Sequence, residues 1–375
     1  MRWGVAAAGI VLVSTAARQD VALKELMPKG MVIGVAINQR QFEGTDAAAV
    51  ELITKQFNQI SPENALKFQS TQPAADRYTF DAADHYVQFG LDRHMQVVGH
   101  NLVWHSQTGV WVFQGADGKP ADRDTLLARM RDHIHTVVGR YKGRINGWDV
   151  VNEAIAEDGT LRRSPWLDII GPEYIAMAFR FAHEADPAAA LHYNDFSVEH
   201  DTKRQGIVRL VTSLRAEGVP ITAIGMQEHQ KLDWPSVSAI DSAIVDLAAT
   251  GVKLMVTELD VDVLPSNRGQ RTEAVEQQLM QSGAPDPYRA GLPQSVQTAL
   301  AHRYAEVVRV YLQHRNVISR MTFWGVDDGD SWLNNFPVRG RVNYPLLFDR
   351  RGMPKEAYDS VIAAARTVRT ANASR

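Results

Sequence analysis

Apolar and polar residues come in blocks along this chain, and the blocks change period. Short runs rich in Val, Ile, Leu and Met that stop at polar residues read as strands buried on both faces. They lie at 31–38 (MVIGVAIN), within 58–67, and at 96–104, 146–153, 191–195, 221–229, 253–260 and 317–327. Between them, apolar positions recur three and four apart, as in helices packed on one face. Those stretches are 46–57, 81–93, 122–141, 172–184, 202–217, 235–250, 296–314 and 354–369. Asp46 stands where an N-cap belongs, and Pro172 opens its helix. A further helical stretch, 21–27, precedes the first strand and is placed to cover the bottom of a barrel.

Eight strands alternating with eight helices predict a parallel α/β protein. An open, doubly wound sheet satisfies the same alternation. The count of eight, and the polar residues at nearly every strand's C-terminal end, favour a closed (β/α)8 TIM barrel forming a single domain. The two long connectors, 261–295 and 328–343, follow the seventh and eighth strands, on the face where barrel enzymes carry their loops.

Composition narrows the chemistry. The 375 residues are 45% hydrophobic and 22% charged, an ordinary globular balance. A net charge of -3 with no Lys/Arg run argues against nucleic acid as a partner. The chain has no Cys, which excludes disulfides, thiolate metal sites and a cysteine nucleophile. After Met1-Arg2, an apolar run from Trp3 to Val13 is followed by Ser14, Thr15, Ala16 and Ala17. Residues 1–17 therefore read as a signal peptide, with 18–375 as the folded domain and a secreted or periplasmic location. The run is too short to span a membrane, so none is expected as a partner of the mature form.

The polar strand ends carry the functional argument. Strand two ends in Glu63, Asn64 and Lys67, and strand three in His100, Trp104 and His105. Strand four ends at Asn152 and Glu153, and strand five at Asn194 and Asp195. Gln227 and His229 end strand six, and Glu258 and Asp260 end strand seven. Trp324 ends strand eight, with Asp327 and Trp332 beyond. A barrel brings these ends to one cleft. Tryptophan faces stack on sugar rings, while amides, imidazoles, Lys and Glu bond ring hydroxyls. Two carboxylates in such a cleft suggest glycoside hydrolysis, one as acid and one ionised. Glu258 has His229 and its polar neighbours to stabilise an anion, so residue types favour it as nucleophile. Glu153 follows apolar Val150 and Val151, and a second carboxylate nearby is expected to raise its pKa, as an acid/base needs. Retention of configuration would set the two carboxyl groups roughly 5–5.5 Å apart.

The ordered set SPENALK, GHNLVWH, WDVVNEA, YNDF, IGMQEH, TELD, FWGVDDGDSW and PLLFD resembles glycoside hydrolase family 10, the retaining endo-β-1,4-xylanases. The likeness runs from about Lys24 to about Arg366. It implies hydrolysis of internal bonds in xylan through a covalent glycosyl-enzyme, with Glu153 as acid/base and Glu258 as nucleophile. By the same resemblance, His229 and Asp260 support the nucleophile. His100, Asn152 and Gln227 surround the sugar being cleaved, and Trp104 and Trp324 wall that subsite. Glu63, Asn64 and Lys67 floor the next glycone subsites, with Trp332 as a lid or stacking wall, and His105 has a supporting role. The resemblance implies no cofactor and no metal, xylan and xylo-oligosaccharides as partners, and a monomer.

The match has departures. Leu66 and Phe68 stand where the family has Met and Trp, Asn101 is its small residue after GH, and Met226 and Glu228 replace small or hydroxyl residues. They bear on subsite detail, and Glu228 reads as an extra negative charge near the cleft. His100, His105 and His229 are also conceivable metal ligands, but the first strand lacks the His-x-His that a zinc barrel hydrolase would want. A barrel that binds xylan without cleaving it is a further alternative, which a reducing-sugar assay separates. His133 and His135 read as outer-helix residues, and Trp111, Trp166 and Trp234 as packing, Trp111 near the cleft side.

Overall fold

The strands close on themselves. A computed structural model describes residues 21–115, 117–265, 280 and 285–373; the proposed signal peptide lies outside these residues, as does much of the connector after the seventh strand. Strands β1 (Val32–Ile37), β2 (Gln59–Pro62), β3 (Gln96–Val103), β4 (Gly147–Asn152), β5 (Ala190–Asp195), β6 (Ala223–Met226), β7 (His229–Lys231), β8 (Lys253–Asp262) and β9 (Ile318–Phe323) are all parallel to their neighbours. Their order is β6-β5-β4-β3-β2-β1-β9-β8, and pairing of β6 with β8 closes the barrel. The open-sheet alternative is thereby excluded.

The sixth barrel position differs from expectation. It is broken into β6 and β7 at Gln227-Glu228, where Glu228 has φ +62°. β7 then pairs only with the extended end of β8, placing His229 opposite Asp260. A single run from 221 to 229 could not show that the backbone turns inside it.

Long amphipathic helices cover the barrel, among them Ala47–Gln56, Arg123–Arg140, Asp201–Ala216, Gln294–Gln313 and Glu356–Ala373. Asp46 caps the first of these, accepting from the Ala49 N–H at 3.1 Å. The short helix Leu23–Leu26 buries both leucines against the start of β1 and the last helix. Between strands and helices lies an apolar layer that includes Ile33, Val35, Ile60, Val97, Val150, Ile224 and Val256, all fully buried. Inside the barrel the packing is partly polar. Thr322 donates to Gln59 Oε1 at 2.7 Å, and Gln59 donates to Ser61 at 3.0 Å. This layer requires Gly34, because a Cβ there would fall 1.5 Å from Gln59 Oε1.

Candidate active site

At the C-terminal end of the barrel, the strand tips are joined by backbone hydrogen bonds. The Glu153 N–H donates to Asn194 O (2.8 Å), Gln227 N–H to Asp195 O (3.0 Å) and Glu258 N–H to Gln227 O (2.9 Å). Above them opens a groove of about 670 Å3. Of the thirteen site residues expected from the sequence, twelve line it: Glu63, Asn64, Lys67, His100, Trp104, Asn152, Glu153, Gln227, His229, Glu258, Trp324 and Trp332. Asp260 does not, because it is fully buried behind His229.

Each glutamate has its own set of partners. Glu153 Oε2 accepts from Trp104 Nε1 at 2.8 Å, and Oε1 from Gln227 Nε2 at 3.0 Å. Its backbone sits at φ +58°, with its carbonyl held by Arg162 Nε at 2.7 Å. Burial works to raise the Glu153 pKa, but nearby His105 and the Gln227 and Trp104 donors outweigh it and hold the group below its ordinary value. This reverses the expectation that a second carboxylate would raise it. The reason is local: His105 lies near and two N–H groups point at the anion, which residue order does not reveal.

Glu258 Oε1 accepts from Asn194 Nδ2 at 2.8 Å, and Oε2 lies 3.1 Å from His229 Nε2. Behind it, His229 Nδ1 is 3.1 Å from Asp260 Oδ1, and Trp332 Nε1 donates to Asp260 Oδ2 at 2.7 Å. Burial opposes the charge on His229, yet Asp260 and Glu258 together carry its pKa up to about 9. Asn194 is completely buried and spends both amide hydrogens at this junction, one on Glu258 and one on Asn152 Oδ1 at 2.8 Å. Its own carbonyl accepts from Thr257 at 2.7 Å. The neighbouring strand makes room for it with Gly225, where a Cβ would lie 2.3 Å from Asn194 Oδ1. Gln227 Nε2, 3.4 Å from Asn152 Oδ1, completes a chain of amides between the two carboxylates.

The rest of the groove is aromatic and cationic at one end. Lys67 is buried with its ammonium 4.2 Å from the Trp104 ring centre. Burial lowers its pKa, opposed by Glu258, Glu153, Asp149 and Glu63. Burial raises Glu63 to about 8, with Asp330 adding to the shift and Lys67 and Arg40 opposing it. Beneath, His100 Nδ1 meets Asp149 Oδ2 at 2.9 Å, and His192 meets the other oxygen at 3.2 Å. Trp324 stands edge-on to His100 at 5.3 Å, and Trp332 stacks on Phe336 at 5.3 Å.

Several lining residues escaped the sequence reading: Phe196, Ser197, Ser106, Gln107, Met280 and Phe336. None carries a titratable group, so strand-end chemistry could not single them out. Asn194 was placed at the cleft without a role, and Thr257, in the middle of β8, was not singled out. Glu228 is corrected outright. It is buried and points away from the groove, accepting from Gln230 and Tyr311 at 2.6 Å each. Leu66, Phe68, Asn101 and Met226 are buried behind the wall and do not line the groove. His133 is likewise buried rather than outward, stacked on Phe68 at 3.5 Å and bonded to Gln72 at 2.9 Å. Trp111 packs on Phe68 and lies outside the groove lining. Among the described residues, no group of three or more His, Asp or Glu is arranged to hold a metal ion.

Comparison with known proteins follows from this geometry. The family model described as Glycosyl hydrolase family 10 matches residues 22–364. Endo-1,4-beta-xylanase A of Xylanibacter ruminicola is 40% identical over 350 residues, covering 93% of this chain and 95% of that protein. An endo-1,4-beta-xylanase of Geobacillus stearothermophilus is 40% identical over 349 residues, covering 91% and 98%. A solved GH10 endoxylanase from a sugarcane soil metagenome superposes with a TM-score of 0.86 at 43% identity, covering 92% of this chain and 99% of its own.

Proposed function

The chain belongs to glycosyl hydrolase family 10, and from that premise we propose how its groove cleaves xylan. It is a glycoside hydrolase of the endo-1,4-β-xylanase type. Xylan lies along the groove. Glu153 protonates the glycosidic oxygen as the bond to the anomeric carbon breaks. Glu258 attacks that carbon from the opposite side and forms a covalent xylosyl-enzyme. Glu153, now ionised, takes a proton from water, which displaces Glu258 and restores the original configuration.

The observation that carries this reading is the unequal support of the two carboxylates. Glu258 is tied to fully buried Asn194 and to His229, which fully buried Asp260 holds from behind. Glu153 is tied to groups that themselves face the substrate, Gln227 and Trp104. Xylan entering the groove competes for Gln227 and expels water. The lowering influences on Glu153 then weaken and burial prevails, so the carboxyl gains its proton as substrate binds. Asn152 and Gln227 sit between the two glutamates, placed for the hydroxyl beside the reacting carbon. His100, Trp104 and Trp324 surround the cleaved sugar, and Glu63, Asn64 and Lys67 hold the next. Trp332 walls the groove and reaches Asp260.

The reaction needs no cofactor. The apolar run from Trp3 to Val13 supports residues 1–17 as an export signal ahead of an 18–375 catalytic domain. It also supports a secreted or periplasmic location, where the polymer would be met. No helix among the described residues is long and apolar enough to cross a membrane. The deciding experiment is product analysis on xylan, a β-1,4-glucan and short xylo-oligosaccharides, with proton NMR of the first-formed anomer. Internal cleavage of xylan with the β-anomer appearing first is expected. An α-anomer appearing first, or faster cleavage of the glucan, would refute the assignment.

A further inference from the structure

Glu153 aims its carboxyl from an unusual backbone. Its φ of +58° lies in the left-handed region that residues other than glycine rarely adopt. Such a conformation persists only where its surroundings over-determine it. Glu258, inside the long strand β8, makes no such demand. Around Glu153 every backbone polar group is bonded. The Glu153 N–H donates to Asn194 O at 2.8 Å, and its carbonyl accepts from Arg162 Nε at 2.7 Å. The Ala154 carbonyl accepts from the Arg162 N–H at 2.7 Å. The next two N–H groups, of Ala154 and Ile155, converge on one atom, the hydroxyl oxygen of Tyr193, each at 3.1 Å.

That hydroxyl is itself fixed. A phenol carries one proton and two lone pairs. The proton goes to Asp195 Oδ2, which leaves both lone pairs for the two N–H groups. Asp195 is held in turn. Its Oδ1 accepts from the Phe196 N–H at 2.9 Å and lies 2.7 Å from Lys203 Nζ, on the helix Asp201–Ala216. Tyr193 and Asp195 stand two apart on β5 and so share a face, while Asn194 between them turns the other way to reach Glu258. Tyr193, Asp195 and Lys203 are all fully buried, and none lines the groove. The bracket therefore grips the chain just after Glu153 from behind, where no sugar reaches it.

We propose that Tyr193 is a positioning residue for Glu153, its hydroxyl holding the left-handed turn that points the carboxyl at the glycosidic oxygen. The inference rests on reading Glu153 as the acid/base. The side-chain ties of Glu153 run to Gln227 and Trp104, which both line the groove. Xylan that engages Gln227 loosens one of them just when the carboxyl must deliver its proton. The bracket lies out of the sugar's reach and stays, so the aim of the carboxyl then depends on it. Glu258 keeps Asn194 and His229 as its own partners. Loss of the Tyr193 hydroxyl should therefore impair proton delivery and spare attack on the anomeric carbon.

The test measures kcat/KM of the wild type, Tyr193→Phe and Glu153→Ala on phenyl xylobioside and on dinitrophenyl xylobioside. The dinitrophenolate departs without a proton, whereas the phenolate benefits from one. Tyr193→Phe keeps the ring and removes only the hydroxyl. It should lose about ten-fold or more on the phenyl substrate and stay within about two-fold of wild type on the dinitrophenyl substrate. A hydroxyl that merely stabilises the fold would lower the melting temperature and scale both substrates alike, so equal losses, or none, overturn the proposal. Should Tyr193→Phe fail to fold, Asp195→Asn takes its place. The new amide can donate to the Tyr193 hydroxyl and so draw a lone pair away from the backbone. The same split between substrates is expected, and its absence refutes. Glu153→Ala keeps the two claims apart. If it shows no split, the acid/base reading itself fails; if it does and Tyr193→Phe does not, only the role of Tyr193 falls.

Discussion

Glu153 and Glu258 end two strands of one barrel and are held by different kinds of partner. Glu258 leans on Asn194, fully buried and satisfied, and on His229, which reaches the groove but is anchored from behind by Asp260 and, through it, Trp332. Glu153 leans on Gln227 and Trp104, which also face the groove. The first carboxylate keeps a partner, Asn194, that lies outside the groove lining whether or not the groove is full. The second has partners that a substrate can take away. A double displacement needs this asymmetry, because the nucleophile keeps one protonation state until it bonds while the acid/base must change state twice.

The widest test of this contrast removes each carboxylate in turn. Glu258→Ala should lower hydrolysis of xylan about 10^4-fold or more, and of activated aryl xylosides as well. External azide should restore part of the turnover as a glycosyl azide of inverted configuration. Glu153→Ala should lose about 10^2- to 10^4-fold on xylan but far less on an aryl xyloside whose leaving group needs no proton. Equal losses of both variants on both substrates would erase the contrast.

A finer test concerns the proton. Glu153 rests below its ordinary pKa, and the acid role proposed for it requires a proton. Binding of a xylo-oligosaccharide to Glu258→Ala should therefore draw protons from mildly acidic buffer. Calorimetry in buffers of differing ionisation enthalpy reads that uptake directly. Binding without uptake would place the required proton elsewhere.

The smallest effect is expected at the back of the support for Glu258. Trp332→Phe keeps an aromatic wall but loses the 2.7 Å bond to Asp260. A buried hydrogen bond to a charged group contributes roughly 1.5–3 kcal/mol, and Asp260 retains His229, so we expect a several-fold loss in kcat/KM and a small drop in melting temperature. A loss as large as that of Glu258→Ala would mean that Trp332 does more than anchor.

What the sequence could and could not show divides along the same line. Twelve groove residues were found because parallel strands of a closed barrel end on one face, so polar residues there must converge. Asp46 capped its helix because the cap is local. What failed depended on orientation. Glu228 looked like a cleft residue because it sits between two, but the backbone breaks there and its carboxyl goes to Gln230 and Tyr311 instead. The lowered pKa of Glu153 depends on His105 beside it and on where the Gln227 and Trp104 donors point. His133 looked external because its helix pattern could not reveal that Phe68 and Gln72 would enclose it.

The packing of Trp332 has a practical side. Its indole lies 4.8 Å from the His229 ring, and that ring keeps its positive charge until about pH 9. An imidazolium so close quenches indole fluorescence more strongly than neutral imidazole does. The protein thus carries its own optical indicator beside Glu258. Light emitted by Trp332, isolated as the difference between wild type and Trp332→Phe, would follow the charge on His229 while sugars come and go.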